Sequence, residues 1–323
     1  MRKPVITALS LAAATALLLS GCGTTEATSG PSDSSKSLSV VDSRGTTITL
    51  DGPATKVVSL EWNATESLVS LGVMPVGNAD VKNYAVYVTA APLDNDVTDV
   101  GGRGEPSVDA IAGLAPDLVV ATDDLSKAAI KQIEKIAPVL VLRPGNAKDG
   151  LGQMEKNLNL LADATGTEAK AKSLIAGLDT AIVDGKKKLA DAGLDGAPFA
   201  LSDAYTDSGA VTIRPYTKGS LLGDVTTKLG LVDAWSVKSD ANYGLGSTDV
   251  EGLTKLPDDV NFLYLGQVDG DPYATDLAAN PIWTSLPFVK AGKVYRLPEG
   301  IWGFGGPASM EKYIDAVVSS LAS

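Results

Sequence analysis

The sequence predicts an α/β fold with two α/β lobes, mostly parallel sheets, one long interdomain helix that joins the lobes, and a ligand cleft between them. Three observations support this fold class. Short apolar runs alternate with helical patterns in both halves of the chain, which is typical of parallel sheets covered by helices. The segment 167–192 is helical with few breaking residues, and roughly 25 residues of helix span nearly 40 Å. The chain has 323 residues, enough for two lobes.

The first half of the chain, residues 38–165, is predicted to form the N-terminal lobe. Its predicted elements are strands at 57–60, 76–77, 118–121 and 139–142, and helices at 63–72, 106–114, 126–136 and 149–165, with a loop through Tyr84. Asn63 and Glu66 have the spacing of a capping box, in which the two side chains satisfy backbone N–H groups at the start of a helix. Gly72 suits the left-handed residue that ends many helices.

The second half repeats the alternation after the linking helix, which is assigned to residues 166–193. Residues 194–323 are predicted to form the C-terminal lobe. Its predicted elements are strands at 199–202, 210–213, 261–265 and 293–297, and helices at 220–229, 250–256 and 308–321. Because the linking helix spans the width of a lobe, it should hold the lobes at a nearly fixed separation and limit the cleft to a small opening motion.

Residues 1–22 have the pattern of a bacterial export signal that ends in a lipidation site. Arg2 and Lys3 precede an apolar run at 5–19, and the run is followed by LSGC, which resembles the lipobox of bacterial lipoproteins. The alternatives are an ordinary secreted protein or a membrane-spanning helix, but about 15 apolar residues are few for a span and Cys22 is the only cysteine. Residues 23–37 form a predicted flexible tether. We expect an extracytoplasmic protein anchored to the cell membrane by a lipid on Cys22.

Charge and composition exclude several classes of function. Asp and Glu number 39 against 27 Lys and Arg, which gives a formal net charge of −12, so binding to the phosphate backbone of nucleic acids is disfavoured. The sequence has no histidine, which removes most zinc sites and the Ser-His or Cys-His pairs of hydrolases. An all-carboxylate calcium or magnesium site stays open as an alternative, but the sequence has no EF-hand spacing, and the acids of Asp269-Gly270-Asp271 are assigned to a loop turn. We predict no catalytic residue and no resident metal.

One arginine lies in a glycine-rich loop between a predicted strand and a predicted helix. Residues 101–106 read GGRGEP, and the glycines let the backbone approach a ligand while leaving Arg103 uncrowded. Ligand sites of α/β proteins lie at such loops, and an arginine fork suits oxygen-rich anions. The alternative is a surface arginine in a glycine-rich turn. Arg214, beside Tyr216, is a second candidate donor, with a helix-adjacent surface charge as its alternative.

Aromatic residues make up only 5% of the chain, yet many of them fall in predicted loops. Each offers about 150–250 Å² of packing surface to a ligand, although some are expected to plug the ends of the core instead. Trp283 is assigned to packing. The candidates for the cleft are Trp62, Tyr84, Tyr87, Trp235, Tyr243, Trp302 and Phe304.

These motifs together resemble the iron-siderophore substrate-binding lipoproteins of ABC transporters, which are class III periplasmic binding proteins, and most closely the ferric-hydroxamate-binding branch. The resemblance covers nearly the whole mature chain. The similar segments are VVSLEW at 57–62, LGVMPVG at 71–77, DVGGRGEP at 99–106, DAW at 233–235, PIW at 281–283 and PFVKAG at 287–292.

The resemblance implies a monomeric binding protein, not an enzyme, that captures a ferric siderophore and delivers it to the permease of an ABC importer. In that family the arginine at the position of Arg103 binds the iron-hydroxamate oxygens. Aromatic residues at the positions of Tyr87, Trp235, Tyr243, Trp302 and Phe304 line the family's pocket. The siderophore itself holds the iron, so the resemblance implies no cofactor.

The resemblance also assigns a role to two acids, one in each predicted lobe. Asp109 and Glu251 match the acidic residues that dock onto arginines of the permease. Each acid is predicted early in a short helix, where the helix dipole favours a negative charge and is a sufficient structural explanation for either residue alone.

Some positions depart from the family pattern and leave the ligand open. The family usually has Glu where Asp109 stands, its best-known members have Trp at the position of Tyr243, and its pocket tyrosine has no equivalent around Asp123. The alternative ligands are a ferric catecholate, ferric citrate, haem or cobalamin. From a different class, the chain could be a surface-anchored hydrolase that uses carboxylate acid–base chemistry.

Overall fold

Two parallel β-sheets, one in each half of the chain, form the framework of the structure, a computed structural model that describes residues 37–322. The predicted signal peptide with Cys22, and the predicted tether up to residue 36, lie outside the described residues. Within the described part, the fold class expected from the sequence is confirmed, with two α/β lobes and a long helix between them. None of the helices in residues 37–322 is both long and apolar enough to cross a bilayer.

The N-terminal half places five parallel strands behind a short antiparallel hairpin. Its elements are β1 Leu38–Val41, β2 Thr47–Leu50, β3 Val57–Ser59, α1 Trp62–Leu71, β4 Gly77–Asn78, α2 Val81–Tyr87, β5 Thr98–Asp99, α3 Val108–Leu114, β6 Leu118–Thr122, α4 Lys127–Ile133 and β7 Val139–Leu142. The sheet order is β5-β4-β3-β6-β7, and all neighbouring strands are parallel. All residues of β3, β6 and β7 are buried, as expected for a parallel sheet covered on both faces.

Two helices, α5 Gly150–Thr165 and α6 Glu168–Asp191, connect this sheet to the second one. The C-terminal elements are β8 Pro198–Asp207, β9 Ala210–Pro215, α7 Leu221–Lys228, β10 Val232–Asp233, a 3₁₀ turn at Glu251–Lys255, β11 Asn261–Leu265, α8 Pro281–Ser285, α9 Pro287–Lys290, β12 Val294–Leu297 and α10 Pro307–Leu321. The strand order is β10-β8-β11-β12 with parallel pairs, and β9 adds to β8 in the antiparallel direction.

The long helix α6 packs on the cores of both lobes. Ala171 near its start belongs to the core under the N-terminal sheet, whereas Leu178 and Ile182 belong to the core of the C-terminal lobe. Gly185 allows α7 to approach, since a Cβ there would lie 2.8 Å from the side chain of Leu229. The helix therefore packs against both lobes. Its bounds agree with the predicted helical run at 167–192 to within a residue.

The start of helix α1 differs from the expected capping box. The helix begins at Trp62 because Glu61 is extended and its carboxylate accepts a hydrogen bond at 3.0 Å from the backbone N–H of Trp62. Asn63 therefore lies inside the first turn, and its predicted role as N-cap is wrong. Gly72 ends the helix in the left-handed conformation, with φ 88°, as predicted.

Two other segments are more regular than expected. The predicted loop through Tyr84 is helix α2, whose start is capped by the carboxylate of Asp80 bonded to the backbone N–H of Asn83. The hairpin of β1 and β2, which is not predicted from the sequence, covers the N-terminal core with Val40 and Ile48.

Glu66 links the two halves of the chain. Its side chain is fully buried, and it accepts hydrogen bonds at 2.7 Å from both the backbone N–H and the hydroxyl of Ser309, in the first turn of α10. A Cβ at Gly305 would lie only 2.3 Å from the Glu66 carboxylate, so glycine is required for this close approach. Burial raises the pKa of Glu66, and the hydrogen bonds from Ser309 oppose that rise.

Replacing Glu66 by Ala should lower the free energy of unfolding by about 2–4 kcal/mol, because hydrogen bonds to charged groups contribute roughly 1.5–3 kcal/mol each. Glu66→Gln keeps an acceptor for the Ser309 N–H and should lose less. Urea denaturation measures both variants, with Glu168→Ala as the control because Glu168 is an exposed acid in the first turn of α6. A Glu66→Ala variant as stable as the wild type would show that the Glu66–Ser309 hydrogen bonds do not stabilise the fold.

The same carboxyl should affect how stability depends on pH. Because burial raises the pKa of folded Glu66, its ionisation costs the folded state stability as the pH rises from the unfolded value through the folded pKa. The Glu66→Gln variant should lack this part of the pH dependence, which denaturation curves at several pH values measure.

Candidate functional site

A cavity of about 190 Å³ lies between the lobes, and residues from both halves of the chain line it. The lining residues are Glu61, Asn63, Arg103, Pro144, Arg214, Tyr243, Leu245 and Phe304. Glu61 and Arg103 follow strands β3 and β5. The cavity therefore lies where α/β proteins place ligands, outside the carboxyl ends of parallel strands.

Arg103 is held in this cleft by an ion pair with Glu61. Its Nε donates to one carboxylate oxygen at 3.1 Å and its Nη2 to the other at 2.6 Å. Gly101 has φ 94°, and this left-handed turn closes the loop against Pro106 through a β-bridge. Within the described residues, Nη1 of Arg103 donates no hydrogen bond and remains available to a ligand.

The Arg103–Glu61 ion pair affects the protonation of the carboxyl. Burial raises the pKa of Glu61, Arg103 opposes this rise, and the negative charge of Asp124 adds to it. Arg103 is the nearest source of compensating charge. The pair is only partly shielded, since the Arg103 side chain is 34% exposed and that of Glu61 is 14% exposed.

Two indole rings from different lobes cover the guanidinium of Arg103. The guanidinium carbon lies 4.3 Å from the ring centroid of Trp62 and 5.2 Å from that of Trp302. The two rings contact each other edge to face, with centroids 4.9 Å apart. Tyr87 stacks on Trp62 at 5.9 Å, and Phe304 lies 5.2 Å from Trp302. The cation and these aromatic residues thus converge on one interlobe surface.

Arg214 faces the cleft from the C-terminal lobe. It lies on β9 and donates its Nε to Asp203 on β8 at 2.9 Å. The hydroxyl of Tyr216 donates to the same carboxylate at 3.0 Å. Arg214 therefore lines the same cavity as Arg103, and each of the two arginines pairs with an acid from its own lobe.

Two tyrosine–aspartate hydrogen bonds cross the cleft. The hydroxyl of Tyr243 donates to Asp124 in the loop after β6, and the hydroxyl of Tyr87 donates to Asp269 in the loop after β11. The bond to Asp269 raises the pKa of Tyr87 to about 12. Burial and Asp124 raise the pKa of Tyr243 further. Each lobe supplies one tyrosine and one aspartate, so the bonds hold the cleft closed from both sides.

A smaller inner cavity of about 30 Å³ lies behind Tyr243 and Phe304. Asn63 lines both cavities. Its Oδ1 atom and the indole N–H of Trp302 are buried without a hydrogen-bond partner in residues 37–322. Buried polar atoms usually have a partner, so these two atoms mark a place where water or ligand atoms can complete the structure.

Residues 57–300 match the family described as "Periplasmic binding protein", a stretch that includes both parallel sheets and both arginines of the cleft. The chain belongs to this family. Its members are extracytoplasmic binding proteins rather than enzymes, which agrees with the prediction that the chain is not an enzyme.

Two curated relatives are similar over most of the chain. The Fe(3+)-citrate-binding protein YfmC of Bacillus subtilis (strain 168) is 30% identical over 300 residues, covering 92% of this chain and 90% of that protein. The Iron(3+)-hydroxamate-binding protein FhuD of Escherichia coli (strain K12) is 26% identical over 259 residues, covering 80% of this chain and 84% of that protein. The two relatives are named for different iron chelates.

A solved structure has the same fold as this binding protein. The siderophore-binding protein FhuD from Vibrio cholerae, bound to Fe3+-Desferal, superposes with a TM-score of 0.71 at 23% identity and covers 83% of this chain and 98% of that chain.

Two aromatic residues expected in the cleft of this binding protein lie elsewhere. Trp235 is only 9% exposed, packs edge to face on Phe262, and donates its indole N–H to the carbonyl of Leu201 at 2.8 Å. It belongs to the core of the C-terminal lobe, so the prediction that it lines the pocket is corrected. Tyr84 is fully buried behind Trp62, with its hydroxyl bonded to the carbonyl of Ala91, and supports the Trp62 ring rather than facing a ligand.

Three other predicted residues differ in how exposed they are. Trp62 is 4% exposed, so it presents little more than the ring face that Arg103 covers. Asp109 is exposed in the first turn of α3, and Glu251 is exposed in the 3₁₀ turn of the other lobe.

Three carboxylates of the site are not predicted from the sequence. Glu61 and Asp124 follow the carboxyl ends of β3 and β6, and Asp203 is buried on β8 beside Arg214. The available signal was position, because acids directly after buried strands lie at the ligand edge of a parallel sheet. The Glu61–Arg103 pair joins residues 42 positions apart, which spacing does not reveal. Asp203 and Arg214 face each other across strands β8 and β9, and Asp124 accepts a hydrogen bond from Tyr243.

Removing both cross-cleft bonds, in a Tyr87→Phe/Tyr243→Phe variant, should loosen the cleft without unfolding the protein. We expect faster amide hydrogen exchange at residues 121–125 and 240–246, because local opening then requires less free energy. The thermal midpoint should fall by no more than about 5 °C. Hydrogen-exchange mass spectrometry measures the effect, with Tyr205→Phe, a 50% exposed tyrosine, as control. Unchanged exchange in the double variant would show that these bonds do not hold the cleft.

Proposed function

We propose that the chain is a lipid-anchored extracytoplasmic binding protein that captures an iron(III)–siderophore complex of the hydroxamate type and delivers it to the permease of an ABC importer. The observation that carries the proposal is the Arg103 guanidinium, which lies between Glu61 and two indole rings in the interlobe cleft. The family match and the iron chelates named for two relatives support it.

Recognition of such a complex uses the donors and rings of the cleft. Hydroxamate oxygens around the iron are electron-rich and accept charge-assisted hydrogen bonds, worth about 1.5–3 kcal/mol each. Nη1 of Arg103 is the donor best placed for them, and Arg214 lies across the same cavity. Trp302, Tyr243 and Phe304 cover the apolar linkers of the siderophore, where buried apolar area adds affinity.

The iron itself needs no ligand from the protein. Three hydroxamates saturate Fe³⁺ and leave a roughly neutral complex. The metal is therefore cargo carried inside its chelator.

Ferric citrate is the second candidate, because the relative with 30% identity is named for it. Citrate complexes and tris-catecholates are anionic, and they require several converging basic groups. The cleft contains two arginines, and each is already paired with a carboxylate. This charge balance favours the hydroxamate class.

Binding requires the cleft to open. Its cavity of about 190 Å³ is smaller than the roughly 300–1,000 Å³ of pockets for small molecules. The ligand must therefore separate the Tyr243–Asp124 and Tyr87–Asp269 contacts. Because α6 belongs to the cores of both lobes, the proposed motion is a small one.

The same proposal gives roles to residues outside the cleft, in membrane anchoring and in docking to the permease. The lipid on Cys22 anchors the chain, the segment 23–37 is the tether, and the monomer presents Asp109 and Glu251 to the permease. The lobes are assigned to 38–165 and 194–323, with the linking helix at 166–193. Stable anchoring takes two acyl chains or more, which a diacylated N-terminal cysteine would supply.

Arg103→Ala should weaken binding of a ferric trihydroxamate by about 10–100-fold, since the lost hydrogen bonds contribute about 1.5–3 kcal/mol and 1.4 kcal/mol is tenfold in Kd. Quenching of tryptophan fluorescence during titration measures Kd, because Trp62 and Trp302 lie at the site. Arg44→Ala is the matched control, since Arg44 pairs with Asp42 and Glu134 away from the cleft.

Two outcomes would contradict the proposal. Equal Kd values for the Arg103→Ala variant and the wild type would remove Arg103 from the site. Quenching by ferric citrate but not by ferrioxamine or ferrichrome would replace the hydroxamate assignment with the second candidate.

The docking assignment has a separate test. An Asp109→Lys/Glu251→Lys variant should bind the ferric complex with unchanged Kd but lose most of the iron uptake in host cells that lack the wild-type copy. Uptake of radioactive iron measures the loss, and Glu168→Lys, an exposed acid on α6, is the control. Full uptake with the double variant would contradict the docking role.

A further inference from the structure

Both arginines of the cleft are neutralised before any ligand binds. Arg103 donates to Glu61 through two nitrogens, at 3.1 and 2.6 Å. Arg214 donates to Asp203 at 2.9 Å, and the side chain of Asp203 is only 3% exposed. Each positive charge therefore has its own carboxylate, and neither arginine offers an uncompensated charge to the ligand.

Asp124 adds a third carboxylate to the cleft. It is exposed, it accepts the hydrogen bond of Tyr243, and it lies close enough to Glu61 to act on that carboxyl electrostatically. Asp123 and Arg143 add one charge of each sign beside it, and Nε of Arg143 donates to the carbonyl of Gly145 at 2.9 Å. The charged groups in and directly behind the cleft surface are three carboxylates, Glu61, Asp124 and Asp203, against the two guanidinium groups of Arg103 and Arg214.

From this balance we propose that Glu61 and Asp124 make the cleft prefer ferric chelates with a net positive charge over neutral or anionic chelates built on the same iron cage. The inference rests on the proposed function, because it concerns the ligand of the same cleft. A pendant ammonium on the ligand is attracted to the carboxylates of Glu61 and Asp124, whereas a pendant carboxylate is repelled by them.

The size of the preference follows from Coulomb's law. For charges about 10 Å apart at an effective dielectric constant near 20, one unit of ligand charge changes Kd by about tenfold. Salt screens the exposed part of this interaction, since the Debye length falls from roughly 10 Å at 0.1 M to about 3 Å at 1 M. We therefore expect Kd to rise stepwise as the ligand becomes more negative, and we expect the differences between the Kd values to shrink at high salt.

Three derivatives of one trihydroxamate test the proposal. Ferrioxamine B carries a pendant ammonium, its N-acetyl derivative is neutral, and its N-succinyl derivative carries a carboxylate, while the iron cage is the same in all three. Fluorescence titration of the wild-type protein should give Kd values that rise by about tenfold at each step from the cation to the anion. At 1 M NaCl the three values should converge.

The variants assign the preference to the two carboxylates. Glu61→Gln keeps an acceptor for the backbone N–H of Trp62, and Asp124→Asn keeps an acceptor for Tyr243, so both should fold, and thermal melting checks this. In the double variant the ratio of Kd values between anion and cation should fall at least tenfold. Asp191→Asn is the control because it removes one negative charge from an exposed position at the end of α6, and its ratio should equal that of the wild type.

The ratio separates charge selectivity from a positioning role. If Glu61 only oriented Arg103, its replacement would weaken all three derivatives equally and leave the ratio unchanged, which overturns the proposal. Equal Kd values for the three derivatives in the wild type overturn it without a variant, while the proposed function stands. If none of the three derivatives binds, both the proposed function and this inference are wrong.

Discussion

The guanidinium of Arg103 is the group on which the organisation of the cleft depends. A carboxylate at the start of α1 holds its edge, and indole rings from the two lobes cover its face, a favourable arrangement for a cation on tryptophan. Each partner is fixed in turn. Trp62 donates its indole N–H to the carbonyl of Ala79 at 3.0 Å, and Trp302 stands in the loop that leads to α10, which Glu66 caps. The cation, its counter-ion and the rings therefore form one unit that spans both lobes.

Much of the fold could be predicted because its signals are local. Continuous apolar runs specify buried parallel strands, and the unbroken helical pattern specifies α6 almost to the residue. The errors fall where a distant contact overrides a local pattern. Asn63 and Glu66 have the spacing of a capping box, but the carboxylate of Glu66 is bonded to Ser309, 243 positions along the chain. A spacing rule contains no information about such a partner.

The candidate site was predictable to a similar extent and for the same reason. Glycines around Arg103, and aromatics in loops, identify residues that are free to meet a ligand. Arg103, Tyr243 and Phe304 line one cavity, and Trp302 covers the guanidinium of Arg103. Trp235 has the same local context but fills the core, since its indole N–H finds the carbonyl of Leu201. The acids Glu61 and Asp203 escaped notice because an acid is common on any surface. Their importance arises only from the arginines that the fold places beside them.

The attachment of α10 to α1 has a consequence for how such a binding site can diversify. Gly305 and Gly306 pass so close to Glu66 and Ser67 that an added Cβ would lie 2.3 Å and 2.9 Å from their side-chain oxygens. Insertions or bulkier residues are therefore poorly tolerated in this stretch, and its backbone path is effectively invariant. New ligand preferences must then arise by exchanging the side chains at Trp302 and Phe304, or the acids opposite them, on an unchanged main chain.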